Sequence, residues 1–233
     1  MKFALKLFSV LTLLCCAALL SAADAIFTWS FDRADGLPET PGASWSGSRR
    51  GTLVDDAAGG KSLRVGVAKG GKDILSAAVN LPVAFGQSAG TVTFRVKPEG
   101  WTGAEKDFRN FIHLTNEAGE SLSIYRLHNS NGTFIVTLMG KDGKRADAGF
   151  DMSNWQKDSW YNLAVCWDEQ YIYIYQNGAL MRRSPVKNFK FTKPFKKLEL
   201  GRYLRTYNGR CHVSFLLLHN ELSQILQLKN GTD

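Results

Sequence analysis

The chain has 233 residues, and its 29 lysines and arginines outnumber its 21 aspartates and glutamates, which gives a formal net charge of +8. This length is enough for one sizeable core, and no internal repeat or low-complexity linker divides it. Beyond residue 25 no segment is long and apolar enough to span a bilayer, which excludes a protein with several membrane-spanning helices.

The first 25 residues predict a secretory signal peptide. Lys2 and Lys6 precede an apolar run, and the stretch Ala23–Ala25 has the small residues typical of a cleavage site. The run is short for a retained membrane anchor, and Cys15 lacks the small residues expected before a lipidated cysteine. We therefore expect residues 1–25 to be removed, residues 26–233 to form one domain, and the protein to be secreted, either periplasmic or extracellular.

Short alternating runs separated by glycine-rich or polar turns predict an all-β protein, because strands alternate their side chains between two faces. Val92, Phe94 and Val96, for example, share one face of a strong strand. Strands are predicted over residues 26–31, 61–67, 74–81, 90–98, 108–116, 121–128, 133–140, within 159–181, and over 187–192, 196–203 and 211–220. A short helix is expected over residues 222–229.

The stretch 159–181 contains the clearest hairpin. Asn177-Gly178 supplies two residues that tolerate positive φ, as a tight hairpin turn requires. Alternation places Ile172 and Ile174 on one face and the tyrosines on the other. The tyrosine face, which holds Tyr171, Tyr173 and Tyr175, is interpreted as a cross-strand packing ladder or as a stacking platform for a ligand.

Two cysteines remain after residue 25, Cys166 and Cys211. An exported protein with two cysteines can form one disulfide. Both lie in apolar strand patterns, which also fits two buried free thiols. The sequence leaves both alternatives open, because it cannot place the two Cα atoms within bonding reach.

Five segments, in order, resemble the laminin G-like members of the concanavalin A-like lectin/glucanase group. They are FTWSFDRADG, GTVTFRVKPEGW, SWYNLAVCWDEQYIYIYQNGALM, KLELGRY and YNGRCHVSFLLLHNELS, and they extend over nearly the whole chain after residue 25. The resemblance implies a jelly-roll sandwich of two antiparallel sheets. It also implies a sheet face and rim loops that bind sugars, proteins or calcium in relatives, some of which cleave glycans.

One departure from the family pattern argues against a calcium site. Many relatives carry adjacent acidic residues at the start of the closing strand, where this chain has Cys211-His212-Val213-Ser214. Calcium needs several oxygen ligands, with carboxylates among them. Asp32 and Asp35 therefore lack their expected partners and are interpreted as turn residues, and we predict no cofactor and no metal.

The chain also lacks recognisable catalytic patterns. No strand carries the spaced acidic residues of a retaining glycosidase, and Glu199 stands alone in its segment. Among the four histidines, His113, His128, His212 and His219, no pair has the i, i+4 spacing of a helical zinc site. His113 and His128 lie on neighbouring predicted strands and are interpreted as ordinary sheet residues. We therefore assign no catalytic residue.

Positive charge is concentrated between residues 182 and 210, where ten lysines and arginines accompany a single acid, Glu199. Such a cluster attracts anions, although a solvated edge that resists aggregation is the alternative. Exposed aromatic rings pack on sugar faces. The candidate ligand-binding residues are Trp101, Trp155, Arg202, Tyr203, Arg205, Tyr207 and Arg210.

From these patterns we expect an exported, non-catalytic module that binds a glycan, with an anionic polysaccharide as one candidate, or an extracellular or cell-surface partner. The alternatives are a glycan hydrolase or lyase with an unfamiliar site, and a structural or assembly subunit. An enzyme requires converging ionisable groups, a binding module requires aromatic rings and hydrogen-bonding groups, and an assembly subunit requires an exposed apolar patch.

Overall fold

The computed structural model describes residues 25–47, 51–56, 60–67, 74–105, 108–127, 132–201 and 209–220. Within these residues the chain forms sixteen strands and one short 3-10 helix, Lys141–Gly143. The strands are β1 Phe27–Trp29, β2 Ser44–Trp45, β3 Thr52–Asp55, β4 Lys61–Val67, β5 Ile74–Leu75, β6 Ala77–Phe85, β7 Gly90–Pro98, β8 Arg109–Thr115, β9 Ser121–Leu127, β10 Thr133–Met139, β11 Arg145–Asp151, β12 Tyr161–Trp167, β13 Tyr171–Gln176, β14 Ala179–Pro185, β15 Phe195–Leu200 and β16 Gly209–His219.

The strands form two antiparallel sheets. The nine-stranded sheet has the order β14-β13-β12-β7-β16-β4-β3, with β1 on β16 and β5 on β4. The seven-stranded sheet has the order β11-β10-β9-β8-β15-β6-β2. The predicted two-sheet sandwich is confirmed. None of the helices in the described part of the chain is long and apolar enough to cross a membrane.

The core lies between the inner faces of the two sheets. Val92, Phe94 and Val96 of β7 are fully buried there, as their alternation predicts. Ile172 and Ile174 of β13 also belong to this core, which confirms the two faces expected for the hairpin. Its turn has φ of 50° at Asn177 and 81° at Gly178, the left-handed conformation that this residue pair tolerates.

Some local predictions are wrong. Residues 187–192 form no strand, and Phe189 and Phe191 are instead buried from a loop, packed edge to face at 5.1 Å. The strand β11 escaped prediction because its sequence RADAGFD is rich in small and charged residues. Residues 222–229, expected to be a helix, lie outside the described residues.

Cys166 and Cys211 are both buried free thiols, so the disulfide alternative is wrong. Cys166 pairs with Thr91 on one side of β7, whereas Cys211 pairs with Pro98 on the other side. Because a strand rises about 3.3 Å per residue, these two levels are about 23 Å apart along β7. A disulfide requires Cα atoms within about 7 Å.

Candidate functional site

A row of polar side chains crosses the outer face of the seven-stranded sheet. Its members are consecutive cross-strand partners on five adjacent strands, so they stand side by side at one level. They lie on the face opposite the core, because their neighbours in sequence are buried in the sandwich interior. We call this set the polar row; its members are Glu199 of β15, His113 of β8, Ser123 of β9, Thr137 of β10 and Asp147 of β11.

Hydrogen bonds join much of the polar row. Nδ1 of His113 and Oγ of Ser123 are 2.8 Å apart. Thr137 Oγ1 donates to Asp147 Oδ1 at 2.5 Å and lies 3.0 Å from the hydroxyl of Tyr125. Lys197 and Arg145 then form ion pairs with Glu199 and Asp147, at the two ends of the row. The row therefore holds oriented donors and acceptors on this face of the sheet. His113 and Thr137 are only 6% and 7% exposed, and the other three members are partly or fully exposed.

Next to the polar row lies a buried amide, Asn110, which is the cross-strand partner of Tyr125 and so faces the same side. Only 7% of Asn110 is exposed, and neither its side-chain nitrogen nor its oxygen has a hydrogen-bond partner among the described residues. Tyr125 stacks on Phe108 with ring centroids 4.9 Å apart. This face thus combines an aromatic surface with polar groups, one of which lacks a partner in the described part of the protein.

Two carboxylates terminate the polar row, and their separation limits its chemistry. Asp147 and Glu199 lie four inter-strand spacings apart, about 19 Å at the usual strand separation. Paired glycosidase carboxylates lie roughly 5–10 Å apart. The two acids can bind and orient a ligand, but they cannot act together on one glycosidic bond.

The structure corrects the expectation that Trp101 and Trp155 contact a ligand. Trp101 is 2% exposed, and its indole nitrogen donates to the carbonyl oxygen of Arg210 at 2.6 Å. Trp155 is fully buried, stacks on Tyr161 at 4.1 Å, and donates to Gln176 at 2.6 Å. Both rings fill the interior at one end of the sandwich, so neither presents a face to a sugar.

The remaining predicted ligand-binding residues belong to one segment. Arg202, Tyr203, Arg205 and Tyr207 lie outside the described residues, so their role stays a prediction. Arg210 is described at the start of β16, where it lies near Glu99 and has a buried Nε without a hydrogen-bond partner among the described residues.

Asp35 lies in a turn, as expected, whereas Asp32 precedes that turn and bonds to a distant strand. Asp32 accepts a hydrogen bond from the backbone of Lys61, and Asp35 binds both Arg33 and the backbone of Leu37. Arg33 and the Leu37 backbone lower the pKa of Asp35 to about 2. The described residues contain no group of three or more His, Cys, Asp or Glu that could hold a metal ion.

The tyrosine face of the hairpin is divided between packing and exposure. Tyr175 is 3% exposed and packs against Ala164 and Cys166, and burial raises its pKa to about 12. Tyr171 and Tyr173 are half-buried, and the guanidinium of Arg183 lies 3.8 Å and 5.7 Å from their ring centroids. Much of the stripe is therefore engaged within the protein, as a packing ladder requires.

Sequence reasoning missed the polar row because each of its five strands contributes one member. Each member alone looks like an ordinary outward-facing polar residue. The only signal in the sequence is the alternation that sends these positions away from the core. Which positions meet at one level depends on strand order and register.

Comparison with known proteins identifies a matching family model and solved structures that have the same fold. The family model for laminin G-like domains of the concanavalin A-like lectin/glucanases superfamily matches residues 69–214. No curated protein matches the sequence. Solved structures with the same fold include the botulinum neurotoxin serotype G binding domain, with a TM-score of 0.68, 12% identity, and coverage of 88% of this chain and 50% of that one.

Two further solved structures come from proteins for which a sugar or glycolipid is named. One is the botulinum neurotoxin serotype D ligand binding domain in complex with N-acetylneuraminic acid, with a TM-score of 0.68, 14% identity, and coverage of 90% of this chain and 51% of that one. The other, titled for the dependence of type C neurotoxin cell entry on two ganglioside molecules, has a TM-score of 0.68, 14% identity, and coverage of 92% and 51%. The chain spans about half the length of these proteins, and at such identities the likeness concerns the fold.

Proposed function

The chain belongs to the laminin G-like family of the concanavalin A-like lectin/glucanase superfamily, and from this we propose that it is an exported, non-catalytic module that binds a glycan through the outer face of its seven-stranded sheet. The observation that carries the proposal is the polar row together with the unpartnered amide of Asn110 beside it. Sugar hydroxyls need donors and acceptors held in fixed positions, and this face holds them across five strands.

The cost of Asn110 supports a binding role. A buried amide without hydrogen bonds costs about 1–3 kcal/mol of stability. A ligand hydroxyl that forms a hydrogen bond with the Asn110 amide would recover that free energy on binding. An amide without a binding role could remain exposed to water and would not carry this cost. The half-buried ring of Tyr125, stacked on Phe108, supplies an apolar surface next to the amide, as sugar rings require.

The wide separation of Asp147 and Glu199 supports the non-catalytic part of the proposal. Solved structures of the same fold are consistent with the binding part, since the serotype D domain is in complex with N-acetylneuraminic acid and cell entry of the type C neurotoxin depends on interaction with two ganglioside molecules.

The test uses a glycan array on the full chain, followed by calorimetry with the best-bound neutral glycan. Thr137→Val removes the hydroxyl that joins Tyr125 to Asp147 and keeps the shape of the side chain. We expect it to weaken binding about tenfold, since the network that orients two ligand-binding groups is lost. The matched control is Thr93→Val, on the outer face of the other sheet, which should bind as the parent does.

The variant Asn110→Ala distinguishes a loss of glycan binding from a loss of folding stability. Because it removes an amide without partners among the described residues, we expect it to weaken glycan binding without lowering the free energy of unfolding. The proposal fails if no glycan binds, or if Thr137→Val and Asn110→Ala bind as tightly as Thr93→Val.

A further inference from the structure

A second cluster of charges lies on the outer face of the nine-stranded sheet, far from the polar row. Arg95 and Lys97 alternate with core residues of β7, so both point outward. Both cations lie over one ring: the guanidinium of Arg95 is 4.4 Å, and the ammonium of Lys97 4.9 Å, from the centroid of Trp160. Their charged groups are therefore at most about 9 Å apart.

These two cations form no ion pair among the described residues, whereas their neighbour Arg64 is paired with Glu99 through two hydrogen bonds. That pairing lowers the pKa of Glu99 and leaves its carboxylate engaged. The face of the half-buried Trp160 ring attracts each cation, but the two like charges repel each other, and this repulsion costs free energy because neither forms an ion pair with a carboxylate of the described residues. An anion placed between Arg95 and Lys97 would remove this cost.

Neighbouring side chains on β16 and β4 extend the charge cluster of β7 across three strands. His212 is the cross-strand partner of both Lys97 and Arg64, so the three side chains stand in line on β7, β16 and β4. Burial lowers the pKa of His212, and the charge of Lys97 lowers it further. The groups that face this imidazole are Lys97 and Arg64, the carboxylates of Glu99 and Asp56, and the hydroxyl of Ser62.

We propose that Arg95, Lys97 and Trp160 form a second binding site, which takes a sulfate or carboxylate group of an anionic polysaccharide. The two cations hold the anionic group, with the guanidinium able to grip it at two points, and the part-exposed indole packs against the attached sugar ring. This site lies on the opposite side of the sandwich from the polar row and goes beyond the proposed function, because it makes the protein able to engage two glycans at once.

The charge pattern favours a polysaccharide over a nucleic acid. Glu99 and Asp56 lie within the same cluster, close enough to affect the pKa of His212. They repel a polymer that carries a charge on every unit, such as a nucleic acid. A polysaccharide with charges on only some of its sugars can place one anion between Arg95 and Lys97 and neutral groups beside the acids.

The experiment measures binding of a κ-carrageenan oligosaccharide, which carries one sulfate per disaccharide, to the full chain by calorimetry, with its desulfated form, a single-stranded oligonucleotide and anionic vesicles as competing probes. The double variant Arg95→Gln/Lys97→Gln should weaken binding of the sulfated oligosaccharide at least tenfold. The matched control, Lys141→Gln/Lys144→Gln, removes the same charge from exposed positions between β10 and β11, outside the basic segment 182–210, and should change affinity less than twofold.

The pKa of His212 provides a second measurement, which nonspecific attraction between charges would leave unchanged. An anion seated beside Lys97 offsets the effect of that cation, so the sulfated oligosaccharide should raise the pKa of His212, measured by its imidazole proton signals. The desulfated form should leave the titration unchanged.

Three results would overturn the proposal: equal losses of affinity in the two double variants, an unchanged His212 titration at saturating oligosaccharide, or binding of the oligonucleotide or the vesicles as tight as that of the sulfated probe. The test is separate from that of the polar row. Thr137→Val should bind the sulfated probe as the parent does, and the Arg95→Gln/Lys97→Gln variant should keep its affinity for the neutral glycan.

Discussion

Asp147 and Glu199 face the same side of the same sheet, but three strands lie between the strands that carry them. Their separation of about 19 Å follows from the spacing of neighbouring strands. It is twice the distance at which two carboxylates can act on one glycosidic bond. The polar row therefore has the groups that a binding surface needs without the paired acids that this type of hydrolysis needs.

The first prediction concerns catalysis. Incubation of the protein with neutral and anionic polysaccharides should release neither reducing ends nor unsaturated products, as measured by reducing-sugar assay and ultraviolet absorbance. If products appear, and Glu199→Gln or Asp147→Asn abolishes them, the non-catalytic assignment is wrong.

The second prediction concerns the two thiols in the sandwich. Cys166 and Cys211 are buried, and burial raises the pKa of Cys211 to about 12, which keeps it protonated and unreactive at neutral pH. Alkylation followed by mass spectrometry should label both only after denaturation, with or without reductant. Labelling that requires a reductant would show a disulfide, contrary to the positions of the two strands.

The third prediction concerns metal removal. Asp32 accepts a hydrogen bond from the backbone of Lys61 and Asp35 accepts one from the backbone of Leu37, so a chelator should leave the melting temperature unchanged. A bound cation would stabilise the native state in proportion to the logarithm of its concentration. A decrease in melting temperature with chelator, reversed by added calcium, would contradict this prediction and indicate a site that includes these acids.

The fourth prediction concerns stability and pH at Glu120, which is 1% exposed. Burial raises the pKa of its carboxyl, but hydrogen bonds from Asn116, Thr192 and the backbone of Lys141 outweigh this effect and lower it overall. A lowered pKa stabilises the fold above the unfolded value, and this stability is lost as the pH falls through the folded value. Glu120→Ala should cost on the order of 3 kcal/mol at pH 7, since several donors lose a charged acceptor.

Urea unfolding at a series of pH values provides the measurement. Glu120→Gln should lose less stability than the parent as the pH falls from about 5 through the lowered pKa of Glu120, because the variant has no carboxyl to protonate. The control is Glu117→Gln, an exposed position in the same turn, which should follow the parent. Equal pH dependence in the parent and in Glu120→Gln would contradict the assignment.

The fifth prediction concerns the basic segment from residue 182 to 210. If its charge also binds anionic polymers, the triple variant Arg202→Glu, Arg205→Glu and Arg210→Glu should reduce the preference for heparin-like or uronic-acid polymers over neutral glucans, while the site at Arg95 and Lys97 remains. Binding should also weaken with added salt in the parent. A triple variant that behaves like the parent would mean that the segment is a solvated edge.

The strands themselves could be predicted from sequence because alternation is a local property. Val92, Phe94 and Val96 identify a buried strand face without reference to any other part of the chain. Asn177-Gly178 likewise specifies the turn between β13 and β14 through backbone conformation alone. The loop of Phe189 and Phe191 shows the limit of this reasoning. Alternating aromatic residues can bury themselves from an irregular segment when the surrounding core has room for them.

The sequence by itself therefore determined the fold class, the family and the inward face of the hairpin, because each depends on residues close together in the chain. Only the tertiary structure decided that Trp101 is interior, that Cys166 and Cys211 are too far apart to bond, and that Glu199 stands in line with His113. These are relationships between strands distant in sequence, set by sheet order and register. A one-residue change of register would turn the side chains of a strand to the other face, so the members of the polar row would no longer be cross-strand neighbours.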